Sequence, residues 1–318
     1  MFYSMSPEIS IVIASHRPAL LTGLLDSLSR QDFGADRFET VVVTDYDPGA
    51  FAEKYRMINW RFLDNRSISA KRNLGVSLSK GEILAFVDDD CIPASDWLSK
   101  GASYLAGHKD ASAVEGLTTI EEIGKLTGAH REYKRLERPG FRTNNIFFRR
   151  EAFLAVGGFD ERFTVQREDV DLAFSVKKMG GKIDYCPQIR VEHRFRYWER
   201  WDLLKNCWNR RFDPLLYRKH PELYRKHIHS PFPPGILLIS AGYLFLSFSF
   251  PANNRTVSKW AAVLNLALVL VFGIKRCGIG KESLKKFVSE TVSVILSPLV
   301  LTGALIYGSI RFRKFLLI

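Results

Sequence analysis

Cysteine is scarce in this 318-residue chain: Cys91, Cys186, Cys207 and Cys277 are scattered, with no C-x-x-C pair. That excludes a disulfide-dense secreted scaffold and a cysteine-built zinc site, and it fits reduced thiols facing a cytosol. Glycine-rich phosphate loops are missing as well, since neither G-x-G-x-x-G nor G-x-x-x-x-G-K-[ST] occurs among the 22 glycines. Any diphosphate must then be held by a metal ion and side chains rather than by a backbone cradle. Acids are few against bases, 34 Asp+Glu to 46 Lys+Arg, for a formal net charge of +12. Low complexity is absent too, because 46% hydrophobic and 25% charged residues exclude a disordered chain. The opening Met1–Ser10 lacks a basic flank and leads straight into a strand-like run, so no secretory signal is expected.

Long apolar runs are absent up to about His229 and then dominate. Phe232–Phe250, Trp260–Ile274 and Thr291–Ile310 carry no charge. A helix needs about 20 residues to cross a bilayer core of roughly 30 Å. The first and third runs are expected to qualify, the second only if Thr256–Lys259 extends it. Segments of about 232–250, 256–274 and 289–310 thus define a membrane region, 231–318, unless they form a helical domain buried in protein. Lys275, Arg276, Lys281, Lys285 and Lys286 place the loop after the second run in the cytoplasm, and with it the N-terminal domain. Three full crossings would put Arg311, Arg313 and Lys314 outside; a re-entrant third segment with Pro298 near its middle would avoid that, and both stay open.

The stretch 194–230 is rich in Lys and Arg interleaved with Phe195, Tyr197, Trp198, Trp201, Trp208, Phe212, Tyr217 and Tyr224. Such helices suit a headgroup layer, with cations near anionic lipid and rings at the interface. A solvated helix packed on the catalytic domain has the same composition. A nucleic-acid groove is disfavoured by the adjoining apolar runs.

The first part alternates buried strands with amphipathic helices. Ile9–Ala14 and Phe38–Val43 read as strands, Ala19–Ser29 and Ala70–Ser79 as helices, and Ile83–Val87 as the third strand. This pattern predicts an α/β fold with a mostly parallel mixed sheet, whose ligands gather at strand C-terminal ends. Polar clusters follow all three strands at that edge. The densest is Asp88-Asp89-Asp90. Adjacent carboxylates are unfavourable without a cation, and Mg²⁺ or Mn²⁺ is commonly held by one or two carboxylates plus phosphate oxygens. Alone, the triplet could equally be a solvated turn or helix cap.

In order along the chain stand ISIVIASHRP, ETVVVTDYD, SAKRNLGVSLSKGEILAFVDDDCIP, TNNIFFRREAFLAVGGFDERF, REDVDLAFSVKKMGGKIDYCP and VEH. Over about Pro7–His193 this resembles a family 2 glycosyltransferase of the GT-A type, with a nucleotide-sugar-binding domain at 1–193. The resemblance implies that Asp45, Arg72, Asn73 and Asp88 bind the donor nucleotide. It implies Asp90, with Asp88 and His193, at a Mg²⁺ or Mn²⁺ ion, and Asp169 as catalytic base. Gly158, Asp160 and Glu168 would lie at the sugar and acceptor. Two departures are visible: Thr44 stands where relatives commonly carry an acid, with Asp47 a possible substitute, and Ser175 where they often carry Arg.

The implied reaction is inverting, metal-dependent transfer of one sugar from a nucleoside-diphosphate sugar, with UDP-sugar the expected donor. The expected acceptor is a lipid-linked or glycan molecule of the kind used in cell-envelope polysaccharide synthesis. The expected location is a multi-pass membrane protein with its catalytic domain cytoplasmic, touching anionic lipid and no nucleic acid. Alternatives are a processive polysaccharide synthase, a catalytically silent membrane adaptor and nucleotidyl transfer. Processive enzymes carry Q-x-x-R-W, whereas Tyr197–Trp201 keeps R-W and lacks the Gln. The region 111–143 is the expected seat of acceptor choice.

Overall fold

The computed structural model describes residues 6–121, 133–195, 199, 201–249, 255–277 and 284–316. Arg196, Tyr197, Trp198, Arg200, Phe250 and Lys281, together with 122–132 of the acceptor region, lie outside the described residues. The chain divides into two compact units, which among the described residues are 6–121 with 133–195, and 199 with 201–249, 255–277 and 284–316.

The first unit is built on one eight-stranded sheet of order β3-β2-β1-β4-β7-β6-β8-β5. Its strands are β1 (Ile9–Ser15), β2 (Phe38–Thr44), β3 (Asn59–Phe62), β4 (Ile83–Val87), β5 (Cys91–Pro93), β6 (Ala111–Ile120), β7 (Asn145–Arg149) and β8 (Lys182–His193). β3, β2, β1 and β4 run parallel, β7 is antiparallel to both β4 and β6, and β6 and β8 are parallel. Ile83–Val87 is therefore the fourth strand, not the third. Asn59–Phe62 escapes a pattern search because this four-residue edge strand, NWRF, is nowhere fully buried.

β1 and β4 are buried at every position because helices cover both faces. Ile11 and Ile13 of β1, with Ala85 and Val87 of β4, point to one side, where Leu21, Leu24 and Leu25 of α1 (Pro18–Leu28) and Trp97 and Leu98 of α4 (Trp97–Gly107) close the core. Val12, Leu84 and Phe86 point to the other. There they meet Val76 of α3 (Ile68–Ser77), Phe153 of α5 (Arg150–Ala155), and Leu172 and Val176 of α6 (Glu168–Lys178). A short α2 (Gly49–Lys54) follows β2. α3 starts two residues before the expected Ala70, because the Ser67 hydroxyl accepts the Ala70 N–H at 3.4 Å and caps it.

The second unit is helical: α7 (Asp202–Asn209), a 3₁₀ turn at Arg210–Phe212, α8 (Asp213–Lys219), α9 (Pro221–Ile228), α10 (Pro234–Ser249), α11 (Arg255–Cys277) and α12 (Leu284–Arg311). Asp213 is fully buried, where it accepts from Arg210 at 3.2 Å and from the Tyr224 hydroxyl at 2.8 Å. Cys207 of α7 packs with Ile236, Leu301 and Leu305.

The apolar runs of this unit appear as helices among the described residues. Within the first apolar run the described helix covers 16 residues, or about 24 Å, and Pro233 and Pro234, which lack donors, set its start. The second run extends through Thr256–Lys259 as part of the 23-residue α11, which with the 28-residue α12 is long and apolar enough to cross a membrane. α12 also passes through Pro298 as one helix, so the described chain has no re-entrant break there. Pro298 cannot donate to the Val294 carbonyl, and the Ser297 hydroxyl does so in its place at 2.9 Å.

Candidate active site

Every candidate residue sits at the C-terminal edge of the parallel strands or on an element packed against it. β4 ends at Val87, and Asp88, Asp89 and Asp90 leave the sheet before β5. β5 then pairs antiparallel with β8, with Cys91 opposite His193, while the Arg194 N–H donates to the Asp90 carbonyl at 2.9 Å. This backbone register brings His193 Nε2 to 3.4 Å from Asp90 Oδ1.

The chemistry of that pair follows from what lies behind the ring. His193 Nδ1 is 2.8 Å from the Arg194 carbonyl, which can only accept, so Nδ1 carries the hydrogen. In the neutral ring Nε2 is then a bare lone pair facing a carboxylate oxygen. Two acceptors at this distance repel unless a cation or proton lies between them. The Asp90 carboxylate, the Cys91 thiol and His193 have ligand atoms within 4.8 Å of one another, all in buried residues. Burial pushes the Cys91 thiol well above its usual range, which leaves carboxylate and imidazole as the ready donors. Burial also raises the Asp90 carboxyl, against the pull of His193 and Arg17. These donors fit a divalent ion of the Mn²⁺ kind.

The other two acids of the triplet go elsewhere. Asp89 is buried, and it accepts from the Ser15 hydroxyl at 3.0 Å, from the His16 and Arg17 N–H groups at 3.2 Å, and from the Arg17 guanidinium. Asp88 turns to Arg72, whose Nη2 donates to it at 2.7 Å while Nη1 donates to Glu168 at 3.1 Å. Arg72 is 2% exposed, so this one guanidinium bridges the end of β4 and the start of α6 in a buried setting. Its carbon also lies 5.5 Å from the centre of the Phe159 ring, a cation–π contact.

Glu168 and Asp169 open α6 after Arg167, which holds a left-handed conformation with φ 79° and turns the chain into the helix. Burial, then the neighbouring Asp169 charge, push the Glu168 carboxyl up to about 7. Burial also raises Asp169, opposed by the Val170 N–H that its own carboxylate accepts at 2.7 Å, and by Arg72.

Asn73, expected on the donor, is engaged by the G-G-F-D turn. Its amide donates to the Phe159 carbonyl at 2.9 Å and accepts the Phe159 N–H at 3.0 Å. Gly157 and Gly158 both have positive φ, 81° and 73°, and a Cβ on Gly158 would come to 2.9 Å from Asn73 Oδ1. Asp160 pairs locally with Arg162. Asp45 pairs with the buried Lys71 at 3.1 Å, and Lys71 Nζ also donates to the Ser15 carbonyl at 2.9 Å, joining the ends of β1 and β2.

Arg17, Lys71 and Glu115 belong to this constellation without having been marked by a motif. Arg17 and Lys71 stand inside the quoted S-H-R-P and K-R-N stretches. Glu115 is an acid inside the otherwise neutral strand β6, a signal in itself. Its buried carboxylate accepts N–H groups from Gly140, Phe141 and Arg142 at 2.9–3.1 Å, and so fixes the loop before β7. Phe141 in turn lies against Phe174 of α6, ring centres 6.3 Å apart.

Comparison with known proteins bears on the family and the fold. Residues 10–160 match the profile of Glycosyl transferase family 2, and residues 115–275, half of the chain, match that of Glycosyl transferase family group 2. Among curated relatives, the glucosyl-dolichyl phosphate glucuronosyltransferase of Haloferax volcanii is 27% identical over 52% of this chain and 56% of its own length. Glycosyltransferase AglE of the same organism is 26% identical over 49% and 57%. The chain thus spans a little over half the length of these two relatives. Among solved structures, the mannosyltransferase PcManGT of Pyrobaculum calidifontis, in complex with GDP-Man and Mn²⁺, superposes with a TM-score of 0.53 at 18% identity, covering 97% of this chain and 87% of that one. TarS 1–349 of S. aureus, in complex with UDP, gives 0.52 at 17%, covering 96% and 89%. The fold is thus of the GT-A type, and the chain belongs to the family 2 glycosyltransferases.

Proposed function

We propose that this protein transfers a single sugar, with inversion, from a nucleoside-diphosphate sugar to a lipid-linked or glycan acceptor at a membrane, with a UDP-sugar as donor. The observation that carries this reading is the placement of His193 Nε2 against Asp90 at 3.4 Å on one side of the triplet, with Arg72 binding Asp88 to the Glu168–Asp169 helix start on the other. Asp90 and His193 would hold a Mg²⁺ or Mn²⁺ ion. When bound, that ion supplies positive charge where the diphosphate leaving group becomes negative.

The remaining steps belong to the chain's own residues. Asp45 and Asp88 face the nucleotide at the ends of β2 and β4, held in place by Lys71 and Arg72. Asp169 takes the proton of the acceptor hydroxyl, which is a poor nucleophile until it loses that proton. Glu168, paired with Arg72, keeps a second carboxyl beside the base and holds the helix start in register with Asp88. The turn at Gly158 and Asp160, pinned by Asn73, lines the sugar and acceptor side. A single base acting opposite the leaving group gives inversion. A glucosyl-dolichyl phosphate substrate in a relative's name supports a lipid-linked acceptor, and the apolar α11 and α12 support a membrane setting.

The test is nucleoside-diphosphate release by the detergent-purified protein, across UDP-, GDP- and dTDP-sugars, with Mn²⁺ or EDTA and with native lipid extract as acceptor. Metal-dependent release from one donor is expected. Asp169→Asn should lose about 10²–10⁴ in rate yet keep nucleotide binding, and Asp90→Asn should lose metal-dependent binding. Full activity in either variant contradicts the assignment, and pyrophosphate release in place of nucleoside diphosphate would indicate nucleotidyl transfer.

A further inference from the structure

Asp90 is already occupied by a cation of the chain's own. Arg17 precedes α1, whose first residue is Pro18, and its side chain reaches across to the acidic triplet. Nη1 lies 2.7 Å from Asp90 Oδ2, Nε donates to Asp89 Oδ1 at 3.0 Å, and Nη2 joins the same Asp89 oxygen. One guanidinium therefore spans two adjacent carboxylates, while the other Asp90 oxygen faces His193. The Arg17 side chain is 28% exposed, against 1% for Asp89 and 8% for Asp90. It thus closes the acids from the solvent side and has room to leave.

Its two contacts are not equivalent. Asp89 keeps the Ser15 hydroxyl and two backbone N–H donors without the guanidinium, so its seat does not depend on Arg17. Asp90 Oδ2, by contrast, is held by Arg17 Nη1 at 2.7 Å. A divalent ion drawing on that carboxylate meets a competing positive charge at hydrogen-bond distance, and the two cannot share the oxygen without strong repulsion. We infer that Arg17 is the internal cation of this site: it neutralises Asp90 when no metal is bound, must yield that carboxylate to an incoming ion, and so sets the site's divalent-ion affinity. The inference rests on the reading of Asp90 as a metal ligand. It adds a residue that determines how tightly the ion is held, and it makes loading with metal an exchange rather than the filling of open space.

The test is titration of Mn²⁺ into the purified full chain without donor, with free Mn²⁺ read by electron paramagnetic resonance. Arg17→Gln removes the competing charge and is expected to tighten Mn²⁺ binding by about tenfold or more. Arg17→Lys keeps a charge for Asp89 but cannot span both carboxylates, and it should tighten binding by less. Asp90→Asn should abolish binding at this site. Affinity that is unchanged or weaker in both Arg17 variants overturns the inference, while wild-type binding lost in Asp90→Asn leaves the metal reading standing. Should the Gln variant fail to fold by thermal melting, the Lys variant decides alone. Wild-type protein that binds no Mn²⁺ overturns the metal reading, and this inference with it.

Discussion

Arg72 Nη1 donates to Glu168 Oε1 at 3.1 Å, a contact joining residues 96 apart in sequence. The second Glu168 oxygen is buried without a hydrogen-bond partner among the described residues. Arg72→Met would leave Glu168 and Asp88 without their shared cation, and breaking a buried pair from one side costs about 3–5 kcal/mol. Arg72→Lys should lose less, because an ammonium keeps the charge but cannot span both carboxylates. Urea unfolding followed by near-ultraviolet dichroism measures both, and a loss below about 1 kcal/mol in the Met variant would show the bridge to be of no structural consequence.

Glu168 also gives the protein a pH dependence of a defined sign. Its carboxyl rises from 4.5 to about 7 on folding, chiefly by burial. Between those values the folded state holds more protons than the unfolded one, so stability falls as pH rises through the window. Below it both states are protonated, and above it both are ionised. Because Asp169 lies alongside, the pair titrates jointly. Glu168→Gln should flatten the decline between pH 4.5 and about 7, and a slope equal to that of the wild type would place the titration elsewhere.

Much of this architecture is legible in the sequence because its signals are local. β1, β2 and β4 are apolar runs ended by polar clusters, and that pattern alone locates the ligand edge. The edge strand Asn59–Phe62 is not legible, since four half-exposed residues carry no periodicity. The pairing of His193 with Asp90 depends on the register of β5 with β8, a long-range fact that neither segment states by itself. Arg72 and Asn73 can be named from their motif. Their partners, Glu168 and the Phe159 backbone, lie in segments almost 90 residues or more away. In the helical unit, counting uncharged residues finds the runs but not where the helices begin: Pro233 and Pro234 set the start of α10, and Arg255–Lys259 lengthen α11 ahead of its uncharged run.

Glu115 is expected to govern the loop ahead of β7. A glutamine there offers one acceptor oxygen in place of two and turns an NH₂ toward the backbone donors of Gly140, Phe141 and Arg142. Each buried N–H left unpaired costs about 1–3 kcal/mol, and the strained backbone of Phe141, with φ 61°, would lose the carboxylate that accepts its N–H. Because the loop lies against α6 rather than on the donor strands, Glu115→Gln should raise the acceptor KM while nucleotide binding holds. Equal loss of both would point to general unfolding.

Leu266 distinguishes a lipid-facing helix from one in water. It lies near the middle of α11, 58% exposed, beside Val263 and Leu264 at 57% and 64%. In water such a surface leucine can be exchanged for lysine at a cost within about 0.5 kcal/mol. At the centre of a bilayer the same change costs about 2.5–3.5 kcal/mol on insertion scales. Leu266→Lys should therefore lower the fraction of protein that remains with membranes after alkaline carbonate extraction, whereas lysine at Ser258, near the start of the helix, should not. Equal retention of both variants would mean that α11 does not cross the hydrocarbon core, and the apolar face it presents would then have to be covered by protein.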